Sequence, residues 1–382
     1  MRKSIILLTY ILILSSLFCI SCKKEKESQE GDVKVVINED VPQNPSLSLR
    51  FEEDLSITKE GWWPANVAVD DEENIYVFGE AENFIYKFDS NGDEIFKRVF
   101  PKGQGPGDFF FMDPFFSSDG KLYIFDKQLH RLTILNNNCE IQNTTKFEDS
   151  RYLLRLDSKG NMFFWVGKSS PDGHKNVLSK FSPSGRLLEE IYEYATPRPD
   201  IDEEKMIFSW PLYFTAGIYK LDSNDNIYYA INNKYVVNVT SPEGQLVKKI
   251  IKLGQSRKVS KKDVERVMPP VTETPPFKTE FIAPEHIPYI ADFFILDNSY
   301  ILVITHENDY DEETLAGDLY DEKGIFQNRV EVPIYYLWNI DTYTSHIKKK
   351  ALYKKNHFYT IESDKNEENF YVKRYKVIWN DN

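Results

Sequence analysis

The chain has 382 residues, with 60 acidic against 47 basic side chains and a formal net charge of −13 at pH 7. A composition that is 41% hydrophobic and 28% charged excludes an intrinsically disordered chain, and the presence of a single long apolar run excludes a polytopic membrane protein. There is no net cationic field to displace counterions, so nucleic acid is not an expected partner, and three cysteines cannot build a disulfide framework.

Arg2 and Lys3 precede an apolar stretch from Ile5 to Phe18, broken only by Thr9, Tyr10, Ser15 and Ser16. So short a run reads as a secretory signal rather than a stop-transfer helix, which needs about 20 residues. It ends in Cys19-Ile20-Ser21-Cys22 and turns polar at Lys23-Lys24-Glu25-Lys26-Glu27. This pattern resembles a bacterial lipoprotein signal: Ile20 and Ser21 fit the residues before a lipidated cysteine, and Cys19 departs from the commoner Leu. The resemblance implies removal of residues 1–21, lipidation of Cys22, and an exported protein anchored in the cell envelope, at the outer membrane or facing the periplasm. The membrane would then be engaged through the lipid alone. An uncleaved N-terminal anchor is the alternative. Cleavage would leave a charge of −15 and Cys139 as the only free thiol, of the kind most often buried and inert. Residues 22–46 carry charge, Gln, Asn and Pro without periodicity and are expected to form a tether.

From there a supersecondary unit repeats: a short apolar strand, a polar turn, then a strand rich in aromatic and β-branched residues. Clear copies are Val67–Asp70 with Asn74–Val77, Leu154–Phe164 and Tyr219–Tyr229; weaker ones are Phe115–Ile124, Phe294–Leu302 and Ala351–Tyr359. Asp, Asn, Ser and Gly at the turns supply local hydrogen bonds and tolerate positive φ. A second hairpin follows each of the first five copies, at Tyr86–Gly92, Leu132–Asn138, Leu178–Gly185, Val237–Gly244 and Asp318–Gly324. The second strands are expected to start at 75, 122, 162, 227, 300 and 357. Two hairpins per unit make four antiparallel strands, and six such units predict a six-bladed β-propeller over residues 47–382.

The sixth unit runs out after Phe370–Trp379, one strand short, while Leu47–Ile57 reads as a strand without a unit. Ring closure through that N-terminal strand would leave no sheet with an incomplete, unpaired edge. Between the fourth and fifth units, Val259–Met268 has a Ser260 cap, Asp263 and Glu265 early, and Val264, Val267 and Met268 at helical spacing; Pro269 and Pro270 end it. Such an insert would lie on one face of the ring or stand clear in solvent. The acidic stretch Asp309–Glu313 is expected to be a loop within the fifth blade.

Between the first two units stands Gly103-Gln104-Gly105-Pro106-Gly107-Asp108-Phe109. It resembles the Gly-x-Gly-Pro-Gly-Glu-Phe segment of bacterial six-bladed β-propellers related to NHL-repeat proteins, with Asp108 in place of the more usual Glu. The likeness spans about Leu47 to Trp379 and includes the lipoprotein signal that many of these proteins carry. It implies a fold and an extracytoplasmic location, and no particular reaction.

Motifs that announce chemistry are missing from the sequence: there is no Gly-x-Ser-x-Gly elbow, Walker loop or His-Glu-x-x-His, and no Cys-x-x-Cys after residue 22. Asp222-Ser223-Asn224-Asp225-Asn226 superficially resembles a calcium loop but has Ile227 where the loop needs glycine and Asn233 where it needs a carboxylate. One enzymatic alternative remains, a calcium-dependent hydrolase acting on lactones or esters, as in gluconolactonase-like and paraoxonase-like propellers. Asn66, Asp113, Asp149 and Asp292, near the starts of four inner strands, would hold the metal in a central tunnel. The main reading has no cofactor and no catalytic residues. It is a binding or assembly module for an unknown protein or carbohydrate ligand. Its surface would be the face where the chain enters each inner strand, because large aromatics gather there: Trp62-Trp63, Phe109–Phe111, Trp210 with Tyr213 and Phe214, Tyr289, and Tyr335-Tyr336 with Trp338. Trp62, Trp63, Trp210, Tyr213 and Tyr336 are the candidate ligand contacts, since Trp and Tyr anchor interfaces and stack on flat or sugar ligands. The competing role for each is a wedge between blades.

Overall fold

A strand buried on both faces should read as a continuous apolar run, and a strand at a sheet edge as an alternating or polar one. The second and fourth strands of the repeat unit differ in this way. Ile75–Gly79 is buried along its whole length, whereas Glu94–Val99 is mostly exposed. The computed structural model describes residues 26–381 except 80–81, 117–119, 149–150, 171–172, 197–199, 203–205, 214, 268–277, 310–313, 334–350 and 365–367. The signal segment, Cys22, Asp149, Phe214, Tyr335, Tyr336, Trp338 and residues 310–313 of the acidic stretch therefore lie outside the described residues.

The described chain begins with a hairpin, β1 (Lys26–Glu30) and β2 (Val33–Asn38), and a long strand, β3 (Leu47–Thr58). Blade 1 follows as β4 (Pro64–Val69), β5 (Ile75–Gly79), β6 (Phe84–Phe88) and β7 (Glu94–Val99). Blade 2 is β8 (Asp113–Phe116), β9 (Leu122–Asp126), β10 (Arg131–Leu135) and β11 (Ile141–Lys146). Blade 3 is β12 (Arg151–Leu156), β13 (Met162–Ser170), β14 (Gly173–Phe181) and β15 (Leu187–Thr196). After β16 (Asp200–Asp202) and β17 (Ile207–Pro211), blade 4 is β18 (Gly217–Leu221), β19 (Ile227–Ile231), β20 (Val236–Thr240) and β21 (Leu246–Lys252). Helix α1 (Lys261–Val267) and β22 (Lys278–Ile282) precede blade 5, which is β23 (Ile290–Ile295), β24 (Ile301–Asp309), β25 (Thr314–Tyr320) and β26 (Phe326–Val332). Blade 6 has β27 (Leu352–Lys354), β28 (His357–Ser363) and β29 (Phe370–Asp381), and its outer strand is β3.

The fold is thus an all-β six-bladed propeller of four-stranded antiparallel sheets, closed by an N-terminal strand. The β3–β29 register runs from Tyr371↔Thr58 to Asp381↔Leu47, and Leu47, Leu49 and Ile57 are buried. The buried apolar residues fall into six clusters, one at each junction between adjacent blades. The core is accordingly a ring of interfaces rather than a single centre.

One expectation is corrected at the N-terminus. Most of the segment read as a tether is part of the fold, because Val35, Val36 and Ile37 supply an apolar strand that β21 can accept. Strand β2 adds in parallel to β21, the outer edge of blade 4, from Lys34↔Lys248 to Asn38↔Lys252, and β1 pairs with β2. The chain then crosses the edge of blade 5. Asn38 donates to Gly324 O (3.0 Å) and accepts from Phe326 N (2.8 Å), and the Gln43 and Asn44 amides donate to Phe326 O and Gln327 O. The buried Lys252 ammonium meets both Asp40 (2.8 Å) and the fully buried Asp318 (2.7 Å). From there the chain enters blade 6 as β3, so residues 33–58 belt three blades together along their outer edges.

The helical insert is present, with Ser260 at its cap. The Asp263 amide donates to Ser260 Oγ (3.2 Å) and the Ser260 amide to Asp263 Oδ2 (2.7 Å), a reciprocal capping box built with Asp. A three-stranded sheet, β16-β17-β22, lies outside the repeat units. It joins the segment between blades 3 and 4 to the segment between blades 4 and 5 through a parallel pair, Ile207↔Lys278 to Pro211↔Ile282.

Candidate functional site

A ring of four-stranded blades has two faces. On one lie the turns between first and second and between third and fourth strands. In several of these turns the first acidic side chain caps its own backbone: Asp157 Oδ1 accepts from the Lys159 and Asn161 amides, and Asp222 Oδ1 from those of Asn224 and Asn226. The Asn226 side-chain amide takes the second Asp222 oxygen (2.8 Å), and Asp225 accepts from the Ser158 amide (2.8 Å) and hydroxyl (2.6 Å) in the corresponding turn of blade 3. The calcium-like run 222–226 is thus a hairpin turn whose carboxylates are bonded within it and to the next blade.

The opposite face carries the segments that lead into each inner strand. Trp62 and Trp63 sit there and divide the two expected roles between them. Trp62 is 4% exposed, packs edge-to-face on Tyr86 and Phe88, and donates from Nε1 to Phe370 O (2.9 Å). It is a wedge between blades 6 and 1, which corrects its assignment as a ligand contact. Trp63 is 52% exposed, with its ring 4.8 Å from that of the buried Phe370. Steric backing of this kind limits its rotamers while more than half of the residue stays open to solvent.

The Gly-Gln-Gly-Pro-Gly-Asp-Phe segment proves to be a joint. Asp108 folds back so that its Oδ2 accepts from the Gly105 amide (2.8 Å), and a Cβ on Gly105 would fall 2.8 Å from that oxygen. Gly107 has φ +88°, which disfavours any residue with a side chain. Arg131, buried in β10, donates to Gly105 O (3.0 Å) and Asp108 O, and Asn83 donates to Phe109 O (2.6 Å). These bonds insert Phe109 fully into the blade 1–2 core. Phe110 and Phe111 remain half-buried, their amides received by Asp126 Oδ2 (2.7 and 3.3 Å), and Lys127 lies over the Phe111 ring at 5.2 Å.

Across the ring, the β16-β17-β22 sheet and α1 occupy this face beside blades 4 and 5. Trp210 lies in β17, opposite Phe281 of β22. Tyr213 is half-buried and edge-to-face with His306 at 6.0 Å. Nearby, Arg257 grips Asp263 with two 2.7 Å bonds. Burial works to raise the Asp263 pKa, but the bonds from Arg257 and Ser260 outweigh it and hold the carboxyl below its ordinary value. Trp63 and Tyr213 share this face on blades 1 and 4, which stand opposite each other in a six-membered ring.

Near the axis, two of the proposed calcium ligands, Asn66 and Asp292, are engaged with protein partners. The buried Asn66 donates its amide to Met112 O (2.8 Å), tying blade 1 to blade 2. Asp292 pairs with the Lys220 ammonium at 3.1 Å across the blade 4–5 junction and accepts from the Phe293 amide (2.7 Å). Asp113 lies close enough to the buried Tyr219 hydroxyl to add to its raised pKa, which burial mainly causes. Among the described residues no group of three or more His, Cys, Asp or Glu could hold a metal ion. No helix among the described residues is long and apolar enough to cross a membrane. Cys139 is fully buried, and burial pushes its thiol pKa up to about 12.

The six blades, the strand closure and the ring of interfacial cores define a β-propeller of the six-bladed class. No protein-family model and no curated protein matches the chain. Solved structures do resemble it in fold. A member of the DUF4221 family from Bacteroides vulgatus superposes with a TM-score of 0.53 at 9% identity, covering 87% of this chain and 99% of that one. A protein of Bacteroides fragilis provisionally named as exported gives 0.50 at 12% identity, covering 90% and 99%. A gluconolactonase of Xanthomonas campestris gives 0.42 at 7% identity, covering 93% and 96%. At such identities the likeness concerns the fold alone.

Proposed function

We propose that this propeller is an exported lipoprotein, anchored in the cell envelope through Cys22, and that it serves as a binding or assembly module through the face where its blades are joined. The observation that carries the reading is Trp63: a large aromatic more than half exposed, yet backed by a buried Phe370 ring. A rigid exposed aromatic loses little entropy on binding, which is what an anchor for a protein or carbohydrate ligand needs. Phe110 and Phe111, half-buried on the adjoining arc of the face, extend the same surface. The function needs no cofactor. In the calcium-dependent alternative, Asp292 would have to exchange its Lys220 partner for a metal.

The test is capture by the tagged, lipidated protein in its native envelope, comparing wild type with Trp63→Ala. A discrete partner or glycan should be retained by wild type and lost from the variant, with the melting transition preserved because the ring is half solvated. Equal capture by both proteins would place the working surface elsewhere. Calorimetric titration with calcium, joined to a lactone and aryl-ester screen, decides the alternative: heat of binding accompanied by turnover would replace the binding module with a hydrolase.

A further inference from the structure

The N-terminal belt changes how far the proposed anchor can stand from the ring. A free tether over residues 22–46 would average about 27 Å end to end and could stretch beyond about 80 Å. Instead the fold begins at Lys26, in β1. Four residue steps from Cys22 to Lys26 reach at most about 14 Å. A six-bladed ring of this chain length is about 50 Å across. The leash is therefore shorter than the body it holds.

Its point of exit is fixed by register. Strand β21 runs towards the face where the blades are joined, and β2 runs parallel to it, ending at Asn38↔Lys252. Strand β1 is antiparallel to β2, with Lys26 opposite Ile37. Lys26 therefore lies at the joined-face end of blade 4's outer edge. Two large apolar side chains are exposed at that same corner, Val41 and Leu253, each 48% exposed. The Leu253 amide donates to Asn38 O (2.8 Å), and Asp40 meets Lys252, so the fold itself brings the two together. The strands of this edge also carry five lysines, Lys26, Lys34, Lys248, Lys249 and Lys252, against two carboxylates, Glu27 and Glu30, in a chain whose net charge is −13.

We infer that the corner of blade 4 bearing Val41 and Leu253 is the bilayer-facing surface of the protein, seated at the headgroup level by its own lipidated N-terminus. The inference rests on the lipid-anchor reading. The ring then stands edge-on rather than free, with blade 4 and the β16-β17-β22 sheet next to the membrane. Trp63, on blade 1, is on the far arc, turned away from the bilayer and open to a partner.

The experiment places one fluorophore at a time on the purified full-length lipoprotein in phosphatidylethanolamine–phosphatidylglycerol vesicles doped with an acceptor lipid. Leu253→Cys and Val41→Cys report the proposed near corner, and Asn91→Cys, in the exposed outer turn of blade 1, reports the far rim. Cys139 stays unlabelled because it is buried and its thiol is protonated, and a lipidated Cys22 has no thiol to label. Energy transfer from positions 253 and 41 should exceed that from position 91 by about threefold or more, given a ring about 50 Å across. Inserting a long Gly-Ser linker between Glu25 and Lys26 should bring the three signals together. Equal transfer from all three in protein that floats with the vesicles would overturn the edge-on seating and leave the anchor intact. A wild-type protein that takes label at Cys22, lacks the diacyl mass and does not float would overturn the anchor reading itself.

Discussion

The belt across blades 4, 5 and 6 depends on Asn38, and its removal has a calculable effect. In Asn38→Ala the amide that donates to Gly324 O and accepts from Phe326 N disappears, and both backbone groups are left buried without those bonds. Each bond contributes about 1 kcal/mol net, and stranding the buried partners adds a desolvation cost, for a total of about 2–4 kcal/mol. Unfolding entropy of about 2 cal/mol/K per residue makes each kcal/mol worth about 1.4 °C in a chain of this length, so the melting midpoint should fall by about 3–6 °C. Differential scanning calorimetry measures the shift. Limited trypsin digestion at Lys34 then reports whether the hairpin detaches first, as local release of the belt predicts. Ser46→Ala is the control, since Ser46 is exposed and bonds only Asn44 Oδ1 in its own loop, and it should stay within about 0.5 kcal/mol of wild type. A midpoint for Asn38→Ala within about 1 °C of wild type, with no faster cleavage at Lys34, would refute the reasoning.

Deleting Leu47–Ile57 removes the strand that completes blade 6 and uncovers the edge of β29; the cooperative thermal transition should be lost or fall by tens of degrees, because the buried contacts removed are comparable to the about 5–15 kcal/mol that holds a whole domain. Trp62→Ala should cost about 3–5 kcal/mol in a denaturant titration, as a core aromatic deletion does, while the neighbouring Trp63→Ala costs much less. The hydrogen bond from Lys252 and its charge hold the Asp40 carboxyl below its ordinary value, so this group adds stability above the unfolded carboxyl pKa near 3.8 and loses it as pH falls through the lower folded value. Stability measured from pH 6 down to pH 2 should therefore decline less steeply in Asp40→Asn than in wild type, and parallel curves would remove Asp40 from the belt's acid sensitivity.

The sequence by itself determined the number of blades and where their strands begin. The expected second-strand starts at 75, 122, 162, 227 and 357 are those of β5, β9, β13, β19 and β28, and the fifth, expected at 300, is Ile301 of β24. These features are local: a strand buried on both faces must be apolar throughout, and a turn that satisfies itself, as Asp157 and Asp222 do, is written within five consecutive residues. The closing role of Leu47–Ile57 was also legible, because the incomplete sixth unit demanded a partner. The tertiary structure alone decided which partners were chosen at long range. Strand β2 carries an ordinary apolar stretch, and nothing near it in sequence points to β21, more than 200 residues away, or to a parallel register. The sheet of β17 and β22, and the Lys220–Asp292 pair in place of a set of free carboxylates, depend likewise on segments 72 residues apart or nearly so. Trp62 and Trp63 show the same limit at a single step: they are identical and adjacent in sequence, yet Trp62 packs on Tyr86 and Phe88 and bonds Phe370 O, more than 300 residues on, while Trp63 is left more than half in solvent.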